Sequence, residues 1–114
     1  MKMVKDKKVL VGADFAGVPL KNAVVAHLEK NGWEVTDIGV KSVDEENPEM
    51  FHRIGLKVGA KIAEGEFEKA LIFCGTGMGI HIAASKCPGV HAGVVESVPA
   101  AFRAITGNGV NVLA

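Results

Sequence analysis

Short apolar runs alternate with segments of helical period along the whole chain, and glycines close most of those segments. That alternation admits few folds. Lys8 to Asp14 reads as a buried strand that ends in small residues and a carboxylate. Pro19 opens a helix whose apolar face is Leu20, Val24 and Leu28, with Ala23 and His27 beside them, and Asn31-Gly32 stops it. Trp33 to Val40 is a second strand, followed by a polar loop. Asn47-Pro48-Glu49 starts a second helix, with Asn as cap, Pro at the first position and Glu near the positive end. Its stripe is Met50, Ile54, Val58 and Ile62, and Gly65 ends it. Ala70 to Cys74 is apolar throughout, as a strand covered on both faces should be. A short helix from Ile80 to Lys86 stops at Pro88, and His91 to Val95 is a fourth strand. Ser97 caps a fourth helix through Pro99, Phe102 and Ile105 that Gly107 ends, and Val110 to Ala114 opens a fifth strand.

Five strands separated by four helices predict an α/β fold, a Rossmann-like three-layer αβα sandwich around a five-stranded parallel sheet. With 114 residues it is expected to be one domain, residues 1–114. The last strand ends on Val112-Leu113-Ala114 with no closing helix. A buried strand at a sheet edge needs cover, so a partner subunit or a longer natural chain is expected to provide it.

Acidic and basic side chains balance at 13 each, which argues against a nucleic-acid surface. No apolar run approaches the length of a membrane helix, and only Val9 to Val11 follow the basic opening residues, too few for a signal peptide. A soluble, cytoplasmic protein is expected, with no membrane partner. Two cysteines form no disulfide framework, and no spacing of Cys and His suits a metal, so no metal site is expected.

Open parallel sheets bind ligands beyond the carboxyl ends of their strands, where strand order reverses. With an order 2-1-3-4-5, Asp14 and Cys74 would meet there. The turn after the third strand is Cys74-Gly75-Thr76-Gly77-Met78-Gly79. Alternate glycines let backbone N–H groups face one point, at the head of a helix, as a phosphate or a developing oxyanion requires. The competing reading is a tight turn that needs positive φ. Cys74 could be a thiolate nucleophile or base, or a buried inert residue. Asp14 could bind substrate hydroxyls or cap a turn. Thr76 could donate its hydroxyl inside the cup or only brace it. Asn108, between two glycines, is a turn residue or a ligand. His81 has a smaller claim on function, and His27 and Cys87 read as structural. A tyrosine-phosphatase loop fails because position 80 is Ile; a hydrolase elbow fails for want of a central serine. A dinucleotide fingerprint is only partly matched, by Gly75 and Gly77 with Glu96 downstream.

GADFAGVPLKNAVVAHLEKNGWEVTDIG, IFCGTGMGIHIAASKCPGVHAGVV and NGVNVLA resemble, in order and separation, the ribose-5-phosphate isomerase B / galactose-6-phosphate isomerase family. The resemblance implies aldose–ketose interconversion of a phosphorylated tetrose, pentose or hexose through a cis-enediolate, with no cofactor. It implies Cys74 as base, Thr76 beside it, and Asp14, Phe15, Gly75, Gly77, Met78, Gly79 and Asn108 as substrate-binding residues. It implies a homodimer or higher homo-oligomer with shared sites. The alternatives are a sugar-phosphate-binding member without activity, or a nucleotide-binding module. Three positions depart from the family pattern. Phe15 stands where many members have His. Gly107-Asn108 replaces a His-Asn pair whose His opens the sugar ring. The family continues through a glycine-rich segment and a helix whose arginines hold the phosphate, whereas this sequence has only Arg53 and Arg103. A preference for an open-chain substrate such as a tetrulose 4-phosphate is expected, unless His81 or His91 opens a ring instead.

Overall fold

The computed structural model describes residues 7–114, so the basic opening residues used in the leader argument lie outside it. Five strands, β1 (Lys8–Ala13), β2 (Glu34–Asp37), β3 (Ala70–Phe73), β4 (Ala92–Gly93) and β5 (Val112–Leu113), alternate with four helices. The helices are α1 (Val18–Lys30), α2 (Phe51–Ala63), α3 (Met78–Ala84) and α4 (Val98–Asn108). All strand pairs are parallel, and the three-layer Rossmann-like sandwich expected from the alternation is what forms.

The strand order is β2-β1-β3-β5-β4, not 2-1-3-4-5. The fifth strand therefore lies inside the sheet, between β3 and β4, and the two-residue β4 is the edge. Its burial follows from pairing on both sides, so the cover expected for an edge strand is not needed there. The reversal point is still between β1 and β3, since the chain leaves β1 toward β2 on one side and reaches β3 on the other. Right-handed crossovers put α1 and α4 on one face of this order and α2 and α3 on the other.

The α2–α3 face is the well-packed one. Ile54, Val58 and Ile62 bury the expected stripe of α2 against Leu10, Ile72 and Ile80. Met50, assigned to that stripe, is exposed because the helix begins one residue later, at Phe51. Asn47 caps nothing: it adopts a left-handed φ of 48°, and Glu49 pairs with Lys57 at 2.6 Å. Gly55 and Gly59 let α3 and its flanking residues approach α2 closely: a Cβ on Gly55 would lie 2.7 Å from the Ile80 carbonyl oxygen, and one on Gly59 would lie 2.6 Å from the Cys87 sulfur.

The other face departs from the sequence reading. Leu20 is 63% exposed and His27 is exposed, so the Leu20–Val24–Leu28 stripe of α1 is only partly buried, through Val24 and Leu28. The helix turns Val18 and Lys21 inward. Lys21 is 3% exposed, and its ammonium lies 2.7 Å from Asp37 Oδ2 at the end of β2. Asp37 Oδ1 accepts the Gly39 N–H at 3.0 Å, so the buried ammonium meets a carboxylate already held in place. Hydropathy periodicity cannot anticipate a helix that buries a lysine. α4 buries no residue at all, and it leaves Val98 and Phe102 exposed. It ends two residues later than expected, at Asn108, because Gly109 and not Gly107 takes the left-handed C-cap conformation. No described helix is long and apolar enough to cross a membrane.

Candidate active site

β1 and β3 pair in register, Ala13 opposite Phe73, so the next residues, Asp14 and Cys74, emerge side by side from neighbouring strands. Asp14 N–H donates to the Phe73 carbonyl at 3.0 Å and extends the ladder by one step. Gly17 closes the approach from the other direction. A Cβ there would lie 2.5 Å from the Phe73 carbonyl carbon and oxygen, so only glycine lets the chain after Asp14 fold down onto β3.

Asp14 caps a turn with one oxygen and leaves the other without a protein partner. Its Oδ1 accepts the Gly17 N–H at 3.0 Å and caps the 3-10 turn Phe15–Gly17. The side chain is 7% exposed, yet no buried side-chain oxygen or nitrogen among the described residues lacks a partner. Oδ2, which has no protein partner among those residues, therefore reaches solvent and is the oxygen left for a ligand. Phe15 stands beside it, 52% exposed.

The glycine turn wraps the cysteine sulfur. Gly77 N–H donates to Cys74 Sγ at 3.1 Å, and Gly77 turns the chain into α3 with a φ of 82°. That positive φ accounts for one of the glycines in conformational terms alone. Thr76 Oγ1 accepts the Met78 N–H at 3.2 Å, so Thr76 braces the turn. Met78, exposed, is the first residue of α3, two residues before the expected start. The amides of Gly75, Thr76 and Gly79 donate to no protein acceptor among the described residues and point out of the turn's own hydrogen bonding. Gly75 has open space around it, and Gly79 packs against the Phe51 ring. A partly buried sulfur, a free carboxylate oxygen and a set of unspent amides thus share one rim of the sheet. The site has acid–base capacity at sulfur and oxyanion capacity at nitrogen.

Asn108 is not part of that rim within one subunit. Ala70 pairs with Val112; Cys74 lies four residues beyond Ala70 and Asn108 four residues before Val112. Four strand residues alone rise about 13 Å. Asn108 therefore stands at the opposite end of the sheet from Cys74. A cleft of about 550 Å³ opens at that end, between Ile62, Phe67, Lys69, Pro88 and Asn111. His91 is exposed and precedes β4, also away from the cup. His81 is half-buried on α3 with Nδ1 2.7 Å from the Met78 carbonyl oxygen, turned back on its own helix. Cys87 is half-buried, its sulfur 3.8 Å from the Leu56 carbonyl oxygen, as a packing residue should be. No group of three His, Cys, Asp or Glu side chains that could hold a metal occurs among the described residues. The buried Lys21–Asp37 pair escaped the sequence reading. Its only signal was a charged residue three positions after Val18 and another within an apolar strand.

Residues 9–114 match the family model described as Ribose/Galactose Isomerase. The chain is 43% identical over 106 residues to the 4-deoxy-4-sulfo-D-erythrose isomerase of Clostridium sp. (strain MSTE9), covering 93% of this chain and 65% of that protein. It is 34% identical over 108 residues to D-erythrulose-4-phosphate isomerase 2 of Mycolicibacterium smegmatis, covering 93% and 70%. The chain spans about two thirds of the length of these curated relatives. The solved structure of Clostridium thermocellum ribose-5-phosphate isomerase B superposes with a TM-score of 0.86 at 36% identity, covering 94% of this chain and 70% of that one.

Proposed function

The chain belongs to the ribose/galactose isomerase family, and on that premise we propose that it interconverts the aldose and ketose forms of a short sugar carrying a terminal anionic group. The observation that carries this reading is the Gly77 N–H on Cys74 Sγ beside unspent turn amides. Cys74 takes the C2 proton of the aldose while the C2 hydroxyl proton passes to the carbonyl oxygen. The resulting cis-enediolate is held by the amides of Gly75, Thr76 and Gly79. Cys74 then returns a proton to C1, which yields the ketose and restores the sulfur. Asp14 Oδ2 accepts a sugar hydroxyl, and Phe15 and Met78 wall the mouth. No step needs a cofactor.

A second copy of the chain completes the site. Asn108 is too far from Cys74 to serve it in the same subunit, yet the family pattern assigns it to substrate. An antiparallel two-fold dimer through the α1–α4 face brings the far end of one α4 to the near rim of the other subunit, twice. The exposed apolar residues Leu20, Val98 and Phe102 on that face support such packing.

Four carbons are the preferred length. Gly107 has no side chain to open a sugar ring, and a tetrose whose C4 carries phosphate or sulfonate has no C4 hydroxyl to close one. The relatives named for four-carbon substrates support the same choice. Steady-state kinetics on D-erythrulose 4-phosphate and D-ribose 5-phosphate test it. The expected kcat/KM is at least about tenfold higher for the tetrulose, the factor that 1.4 kcal/mol of transition-state preference gives. A tenfold preference for ribose 5-phosphate would overturn it.

A further inference from the structure

We infer that Arg103, folded over the bare backbone of Gly107, binds the anionic group on C4 of the substrate, and that this pair of residues sets the four-carbon preference. The inference rests on the isomerase reading above and names the part of the site that reads the substrate's charged end.

Arg103 and Gly107 stand four residues apart on α4 and so share one face of it. A Cβ at Gly107 would lie 3.9 Å from Arg103 Cζ, Nε and Nη2. The guanidinium therefore lies along the space that a side chain at 107 would enter. A methyl group would be in ordinary contact with it, but an imidazole would displace it. The backbone does not demand glycine here. Gly107 is inside the helix and is not one of the glycines with positive φ, and a helix-interior glycine is destabilising relative to alanine. What glycine provides at 107 is room beside a guanidinium.

That guanidinium is available. Arg103 is exposed, and none of the ion pairs among the described residues uses it. Its planar fork suits two oxygens of a tetrahedral anion. It shares a face with Gly107, the residue next to Asn108, so whatever brings the end of α4 to the partner's Cys74 brings Arg103 near it too. Carbon counting then gives the anion its place. In a pentofuranose 5-phosphate the C4 oxygen is the ring oxygen and the phosphate is one carbon further on. In a tetrose 4-phosphate the C4 oxygen is the phosphoester oxygen, and in a 4-sulfonate the sulfur is bonded to C4. A side chain at 107 that served the C4 oxygen of a pentose would occupy the volume the anion of a tetrose needs. Gly107 empties that volume and Arg103 lines it with positive charge.

The test compares the wild-type full chain with Arg103→Gln, Arg103→Lys and Gly107→His on D-erythrulose 4-phosphate and on unphosphorylated D-erythrulose. Arg103→Gln should raise KM for the phosphate by about 10- to 100-fold, the range for losing a charge-assisted hydrogen bond, with kcat little changed. Arg103→Lys should recover part of that loss, and Gly107→His should reproduce it by lifting the guanidinium away. Turnover of the uncharged sugar should not respond to Arg103→Gln. A KM for the phosphate within about twofold of wild type, or an equal loss on the uncharged sugar, overturns the assignment. Dimerisation of each variant by light scattering separates a ligand contact from a lost interface: a monomeric Arg103→Lys with no partial recovery also overturns it. If the wild type turns over no sugar phosphate, the isomerase reading fails on its own. Arg103 is then judged by inorganic phosphate, which should raise the melting temperature of wild type but not of Arg103→Gln; equal or absent protection rejects it.

Discussion

A methyl group on residue 17 would lie 2.5 Å from both the carbonyl carbon and oxygen of Phe73. Those are backbone atoms of a central strand and cannot step aside. Gly17→Ala should therefore cost about 1–3 kcal/mol, the range for forcing extra volume into a packed region. Urea unfolding measures it, and an unchanged midpoint would mean that the turn can slide off β3. Because Gly17 N–H also anchors Asp14 Oδ1, the same variant should weaken substrate binding. At this scale the cup was legible in the sequence, since alternate glycines after an apolar strand have few other uses. The division of labour inside it was not. Nothing in the order of residues distinguishes the Asp14 oxygen that caps a turn from the one left free, or tells that Thr76 Oγ1 is engaged by Met78 N–H.

Among the elements, α1 shows where periodicity misleads. Its apolar stripe is at most half-buried, with Leu20 exposed, while Val18 and Lys21 are fully buried, because Asp37 at the end of β2 gives the lysine a partner. Removing one half of a buried pair leaves a charge uncompensated, and the two halves are not equally buried. Asp37→Ala should cost about 3 kcal/mol, since it strands an ammonium that is 3% exposed. Lys21→Met should cost less, because Asp37 keeps the Gly39 N–H and is also contacted by the partly exposed Lys41. Thermal unfolding of the two variants ranks them, and a larger loss in Lys21→Met would show that the methionine cannot pack under α1. The helices on the other face were legible because Ile54, Val58 and Ile62 answer to one period and one core. Helix ends were less so: a cap sequence at Asn47 lost to the local turn, and α4 ran past the expected stop at Gly107 to Gly109.

For the whole molecule, the layered α/β architecture was legible from the alternation, and the strand order was not. Nothing local distinguishes β5 beside β3 from β5 at the edge; packing across the sheet decides it. The parallel register of β5 with β3, Val112 opposite Ala70, places Asn108 at the end of the sheet away from Cys74. The proposed site is therefore a property of two chains, which mixed dimers can show. Cys74→Ala and Asn108→Ala should each be nearly inactive. After unfolding and refolding together in equal amounts, they should recover about a quarter of wild-type activity, since random pairing makes half the dimers mixed and each mixed dimer rebuilds one complete site. No recovery would put both residues in one subunit's site. The central claim, that Cys74 moves the proton, is tested most directly by proton NMR of D-erythrulose 4-phosphate isomerisation in deuterated water. Wild type should form the aldose with solvent deuterium at the exchanged carbon. Cys74→Ala, folded and dimeric, should do so at least about 10²-fold more slowly, while Cys87→Ala keeps nearly the wild-type rate. A Cys74→Ala protein that isomerises at close to the wild-type rate would contradict the account.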